Sequence, residues 1–489
     1  MGVEPVRLRR SLGLRTVVST SAGLTFASST FLVVVKVAYP MVGDAAWIPI
    51  LIAGLLCALA AAAFSELNGM YPTAAGIRLY IHRAFGERRA LLTSLTYMSV
   101  ITLVVGTEAY VLSHVLTAAI PQVSPPVWIF LMLTIASLAN LRGIKVAGAF
   151  QDIITYSVVV SIVVMSVWSL SLRHFQVPQP FHPGGVLPVF NAAAIAIFLF
   201  VGFEWVTPLA EEVREPGSIP TGMFLALGLL VAVYSLVAVS MFAWEPRTVL
   251  YGSESHREAI PHVVFAARVL GGPGRWCMIV TSLFMSLTTF NAGLMSVSRF
   301  IYASAREHVL PKWLGHVSVR FATPDAAVFI VYVIALVVSF IVYFTARYVV
   351  LINLAAATES FIYAFAGASV VSLRLKERDT SRPFRMWGGL VLPGLTTVVF
   401  AALGVMVFVS GSSDYWGAAV VLGLFVAAWW AYVQFVVMPR KSRIRAEQEL
   451  KRQTRASRRP VRSGSAAAPD VAGPATNVEV GLSEDHGPQ

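Results

Sequence analysis

The stretch Ala192–Pro220, AAAIAIFLFVGFEWVTPLAEEVREPGSIP, sets a carboxylate, Glu204, directly behind Val201–Gly202–Phe203 in an otherwise apolar run. An ionisable side chain at bilayer depth costs roughly 2.5–3.5 kcal/mol on insertion scales, so it persists where it meets water, a partner or a site. Breaking a helix at that depth frees backbone groups, which are tolerated only where they line a cavity. The chemistry on offer is recognition of a charged solute by peptide dipoles and a carboxylate. A membrane enzyme would need His, Asp or Cys clustered at one face, and the nine histidines fall mostly in loops and the tail.

A second interruption is written into the first apolar run, which carries Ser19–Thr20–Ser21–Ala22–Gly23 and then Phe26–Ala27–Ser28–Ser29–Thr30–Phe31. Small hydroxylated clusters of this kind serve close helix packing or local unwinding. Unwinding gains weight because a similar break recurs five spans later. Paired discontinuous helices in corresponding halves point to an inverted-repeat transporter with its site near the midplane. Other charged or hydroxylated positions in the apolar runs include Lys36, Glu108, the cluster Ser286, Thr288 and Thr289, and Glu359. Lys36 either snorkels to the outer interface or places a positive charge in an outer vestibule. Thr288 and Thr289 either bond back to their own helix or offer oxygens to a hard cation such as sodium. Glu108 is a candidate for ion coupling.

The elements that must position these residues are membrane helices. The chain is 57% apolar and 13% charged, against about 25% charged in soluble domains. Apolar runs of spanning length occur at roughly 17–42, 47–69, 91–119, 126–140, 151–172, 190–209, 222–244, 276–298, 326–345, 349–373, 391–410 and 415–438, twelve in all, of which 126–140 is short. Placing the amino terminus inside puts thirty of the thirty-seven Lys and Arg on the cytoplasmic side, the positive-inside bias. The net charge of +12 is thus topological, and nucleic acid is not an expected partner. Both termini are expected in the cytoplasm of a multi-pass cell-membrane protein in contact with the lipid bilayer. No phosphate-binding GxxxxGK[ST] is present, and no cofactor or metal centre is expected. Cys57 and Cys277 both lie in spans and are expected to be buried packing residues. In the loop before the eighth run, Ala259–Gly271 has the pattern of a short helix with Pro261 in its first turn, either a lid or a surface helix.

Four motifs in order resemble one family. Phe200-x-Gly202-Phe203-Glu204, followed by Glu211–Glu212–Val213–Arg214–Glu215–Pro216 and Ile219–Pro220, resembles the sixth-helix signature of the amino acid–polyamine–organocation permeases. Glu66–Leu67 with Pro72, Gly76, Tyr80 and Phe85–Gly86 is similar to that family's second-helix motif, and Ser298–Ala303 through Arg306, Leu310–Pro311 and Thr323–Pro324 to its eighth-helix motif. Arg382–Pro383–Phe384–Arg385 resembles its loop after helix ten, so the likeness spans about residues 17–440.

The resemblance implies an all-α membrane protein of twelve transmembrane helices. Five plus five form an inverted repeat, with helices one and six broken, and two are extra. It implies a secondary active transporter of amino acids or related amines working by alternating access. The alternatives are a polyamine or organic-amine exchanger, or a non-transporting amino-acid sensor. In such permeases amides of unwound helix one hold a substrate carboxylate and carbonyls of helices one and six hold the amino group, in keeping with the dipoles of half-helices. Carried over, the substrate site falls at Phe26, Ala27, Ser28, Ser29 and Thr30 and at Phe200, Val201, Gly202, Phe203 and Glu204. The coupling ion is a proton or sodium, with Thr288, Thr289, Glu108 and Lys36 as candidates. Two departures stand out: Ala27 and Ser29 occupy the family's Gly-x-Gly positions, and no lysine lies near Val158 in helix five, which argues against a proton route there. Four regions are expected: a cytoplasmic tail at 1–16, an inverted-repeat core at 17–375, an inner loop with helices eleven and twelve at 376–438, and a basic, disordered tail at 439–489.

Overall fold

The computed structural model describes residues 10–34, 39–73, 76–142, 144–174, 186–215, 217–244, 260–409 and 413–457. Lys36, Pro216 and the loop residues 245–259 lie outside them. Regular structure among the described residues is helical, with one isolated parallel bridge between Leu12 and Val213. This follows from the solvent: hydrocarbon offers no partner for a backbone N–H or C=O, so a span must satisfy its own.

Helix one runs in two pieces, Leu14–Gly23 and Ser29–Leu32. Helix two is Trp47–Met70, followed by a short amphipathic helix, Gly76–Phe85. Helices three, four and five are Glu87–Ala119, Pro125–Leu141 and Ile144–Leu172. Helix six is Val186–Ala196 continued by tight 3₁₀ turns at Ile197–Phe200 and Phe203–Leu209. Helix seven is Ser218–Trp244. Pro261–Arg306 is kinked at Gly271, where φ is +63°. Its first arm is the short helix expected from the loop sequence, and its second is helix eight. Helices nine to eleven are Asp325–Thr345, Tyr348–Lys376 and Val391–Val409, and helix twelve begins at Ser413.

Ten helices of the described residues meet the length and apolarity of a span. Helix four, at 17 residues, and the divided helix one fall short of that length, which reconciles ten with the twelve read from the sequence. The protein is an all-α multi-pass membrane protein. Helices three and ten are each 78% buried over their apolar windows, against 39% for nine and 33% for eleven. Three and ten therefore stand at the centre, while Phe329, Ile341 and Val398 face outward as lipid-side surface. Cys57 is buried as expected, but Cys277 is exposed: it lies beside the outward-facing Trp276 near the start of helix eight.

The chain forms two compact units, Met1–Arg440 and Lys441–Gln489. Within the second, residues 441–457 belong to the helix Met438–Ser457, although the sequence shows no core-forming pattern there. Its RxRAEQELKRQ run alternates charges at spacings that support a helix without a core.

Candidate functional site

Helix one stops hydrogen-bonding regularly at Ala22. Thr25 and Phe26 both donate to the Ala22 carbonyl at 3.1 and 2.9 Å, and Ala27 donates to Thr25 at 2.9 Å. Helix seven pins this bend, because the Tyr234 hydroxyl donates to the Thr25 carbonyl. Thr30 also reaches that carbonyl, at 3.3 Å. The hydroxylated sequence thus unwinds the backbone and re-satisfies part of it from side chains.

Helix six breaks at Val201–Gly202. Gly202 has φ +109°, a region that side chains rarely adopt, and a Cβ there would sit 2.4 Å from Leu24 Cδ2. Leu24 belongs to the bend of helix one, so the two interruptions touch. Ser21 of helix one donates to the Phe203 carbonyl, and the rings of Phe26 and Phe200 both pack edge-on against Tyr234, at 5.7 and 6.0 Å. All nine residues Phe26–Thr30 and Phe200–Phe203 are buried.

Two further groups converge on the bend of helix one. From helix three, Glu108 accepts the backbone N–H of Ser28 at 2.6 Å and that of Ser29 at 3.0 Å, and it also accepts the Ser286 hydroxyl of helix eight. A carboxylate on exposed amides at a half-helix start is the favoured arrangement of charge and dipole. From helix eight, Thr289 Oγ1 lies 3.4, 3.4 and 3.1 Å from the carbonyl oxygens of Gly23, Leu24 and Phe26. Thr288 Oγ1 lies 3.5 Å from the Phe26 carbonyl. Both hydroxyls also reach the Met285 carbonyl, at 2.7 and 3.2 Å. The result is a knot of carbonyl and hydroxyl oxygens between helices one and eight.

A profile of the family described as Amino acid permease matches residues 12–437. The chain belongs to this family, within the amino acid–polyamine–organocation superfamily. An uncharacterized amino acid permease of Bacillus subtilis is 28% identical over 267 residues, covering 53% of this chain and 61% of that one. An uncharacterized transporter of Mycobacterium tuberculosis is 29% identical over 437 residues, 87% of this chain and 92% of that one. Among solved structures, a sodium-coupled sialic acid symporter shares the fold, with a TM-score of 0.55 at 11% identity over 81% of this chain and 90% of that one.

In this permease the Glu204 carboxyl meets helices three and ten. It accepts the hydroxyl of Tyr97 on helix three and, at 3.0 Å, that of Tyr363 on helix ten. Tyr97 also lies 3.2 Å from Glu359 Oε1. Sequence reading singled out neither tyrosine, nor Tyr234, because a lone polar residue in an apolar run gives no sign of what it meets; Ser286 was visible only as part of the helix-eight hydroxyl cluster. Glu359 was visible only as an isolated charge.

The buried ion pairs gather where helices six, eight and ten end. Arg299 donates to Glu212 at 3.0 Å, each side chain 1% exposed. Glu66 takes two contacts from Arg374, at 2.9 and 2.5 Å, and one from Arg382 at 3.3 Å. Residues before helix one strap the same end, with Ser11 and Leu12 donating to the Glu212 carbonyl and Arg214 to Leu12. These pairs realise the glutamates and arginines of the second-, sixth- and eighth-helix motifs.

Proposed function

We propose that the protein is a sodium-coupled carrier of amino acids or related amines, with its basic end and both termini in the cytoplasm and its two repeats alternating around the paired breaks of helices one and six. The observation that carries this reading is the oxygen knot: Thr288 and Thr289 hydroxyls set against the Gly23, Leu24 and Phe26 carbonyls. Unwound carbonyls of a broken helix are the ligands that such transporters use for a hard cation. Helix five places no lysine near Val158: Gln151 and Thr155 reach the Ser19 carbonyl there, and its one acidic residue facing helix one, Asp152, accepts from Thr16 and Ser19 at the start of that helix. The fold neighbour, a sodium-coupled symporter, agrees with this assignment. Sodium is cargo in this scheme, and the driving gradient acts through its binding to one arrangement of the helices over the other.

The test is uptake of labelled amino acids and amines into proteoliposomes, with an inward sodium gradient or with choline in its place. Sodium should stimulate uptake, and Thr289→Ala should abolish the stimulation. Equal uptake in choline would overturn the coupling ion, and tight substrate binding without flux would make the protein a sensor. A second reading, an exchanger of organic amines without a carboxylate, is favoured by Glu108, whose carboxylate already fills the Ser28 and Ser29 amides. Competition by decarboxylated amines but not by their parent amino acids would select it.

A further inference from the structure

Glu204 and Glu359 are both fully buried, on helices six and ten. Their oxygens converge on one phenol: Tyr97 Oη bonds Glu204 Oε1 and lies 3.2 Å from Glu359 Oε1. A phenol carries one proton. If Tyr97 gives it to Glu204, the contact to Glu359 is a hydrogen bond only when Glu359 brings a proton of its own. Tyr363 does not relieve the deficit, because its single proton serves Glu204 Oε2 at 3.0 Å, with the Phe200 carbonyl next at 3.5 Å. The titratable groups facing the pair are Tyr97 from helix three, Tyr363 from helix ten and Cys57 from helix two. Among the described residues no lysine, arginine or histidine contacts either carboxyl. Two adjacent buried carboxylates without a cation cannot both be ionised at low cost.

A second observation points to exchange with water. A cavity lined by Tyr97, Glu204, Trp205, Thr207, Ile77 and Phe300 reaches Glu204. The indole N–H of Trp205 and the hydroxyl of Thr207 are buried without a partner beside it, and across Tyr97 from Glu204 the Glu359 Oε2 is also buried without a partner. Buried polar groups left in this way mark a place for ordered water.

We propose that Glu204 and Glu359 form a proton-binding site that holds one proton between them through Tyr97 and exchanges it through this cavity. The proton closes the hydrogen-bond count that joins helices three, six and ten, and its release leaves two like charges that push six and ten apart. Because helix six also carries the break at Gly202, protonation and the arrangement of that break are linked. The inference goes beyond the transport reading and depends on neither the substrate nor sodium.

The decisive measurement is the infrared difference spectrum of the full-length protein in detergent or lipid, wild type minus variant, across a pH series. Wild type should show the C=O band of a protonated carboxyl at neutral pH. Glu359→Gln should lose it, since the remaining Glu204 then accepts from Tyr97, Tyr363 and the new amide and ionises. Glu204→Gln should lose the same band for the mirror reason, which covers the case where one variant fails to fold. Glu108→Gln should keep it. A band unchanged in both variants, or lost in neither at any pH, overturns the proposal. Uptake in proteoliposomes should vary with pH in wild type and lose that dependence in Glu359→Gln. A spectroscopic result without any flux would leave the proton site standing and count against the carrier reading alone.

Discussion

Replacing Gly202 by alanine tests the contact between the two broken helices. The added Cβ meets Leu24 Cδ2, Cγ and Cβ at 2.4, 2.7 and 2.9 Å, all closer than any real contact. Leu24 cannot swing clear by rotating its tip alone, because its own Cβ is among the clashing atoms. Forcing extra volume into a packed site costs about 1–3 kcal/mol. The backbone adds its own term, since φ +109° is sparsely populated for a residue with a side chain, at roughly 1–3 kcal/mol. Together the loss is about 2–6 kcal/mol, a large part of the 5–15 kcal/mol typical of a folded chain. The double variant Gly202→Ala/Leu24→Ala separates the two terms. It removes the clashes with Cδ2 and Cγ but keeps the one with Cβ, so it should recover most of the packing share and keep the backbone share, and a double-mutant cycle gives a coupling of at most about 1–3 kcal/mol. Denaturant titration in mixed micelles measures all four corners, and uptake in proteoliposomes reads the effect on transport. A Gly202→Ala protein within about 0.5 kcal/mol of wild type and fully active would refute the reasoning: helix six would then not need its left-handed glycine against helix one.

The buried Arg299–Glu212 pair should behave as an all-or-none unit: Arg299→Met alone strands a buried carboxylate and costs about 3–5 kcal/mol, while Arg299→Met with Glu212→Leu costs less, as read by thermal unfolding. Glu66→Gln should weaken three cationic contacts at once, loosening the loop after helix ten and speeding protease cleavage near Arg385. Cys277, exposed on the lipid side, should react with a membrane-permeant maleimide, whereas the buried Cys57 should stay unmodified until the protein unfolds.

Much of the architecture was legible because the bilayer leaves few options. Apolar run length located the spans, and a glycine preceding a carboxylate located the break in helix six. Helix one was harder. Its Ala27 and Ser29 look compatible with a continuous helix, and what opens the turn is a set of distant partners, Tyr234 on the Thr25 carbonyl and Glu108 on two amides. No spacing within helix one records those contacts. Thr288 and Thr289 were ambiguous for a related reason. Their hydroxyls do bond back to Met285 of their own helix, as the plain reading expects, and they simultaneously face three carbonyls of helix one. Glu204 was placed at the substrate site by its neighbours in sequence. Its side chain instead turns to helices three and ten, because a tight 3₁₀ turn, not an α-helix, carries it past Gly202.

The distribution of buried charge divides the molecule by task. At one end each buried arginine has a carboxylate: Arg299 with Glu212, Arg374 with Glu66, and Arg78 with Glu307 and Glu87. Such pairs add little net stability once desolvation is counted, but they can be broken and remade as units, as the proposed alternation of this end would require. Toward the centre the pattern reverses. Glu108 and Glu359 stand about 16 Å along their helices from Ala119 and Tyr348 at helical rise. With Glu204 they are held among the described residues by hydroxyls and amides rather than by cations. Two unit charges 4 Å apart repel by about 4 kcal/mol at an effective dielectric of 20, so the Glu204–Glu359 pair that shares Tyr97 favours an added positive charge. Protons, sodium and an ammonium group are the species of the right size and sign. A core short of positive charge beside an end laced with separable ion pairs is the charge pattern that the proposed cation-coupled carrier requires.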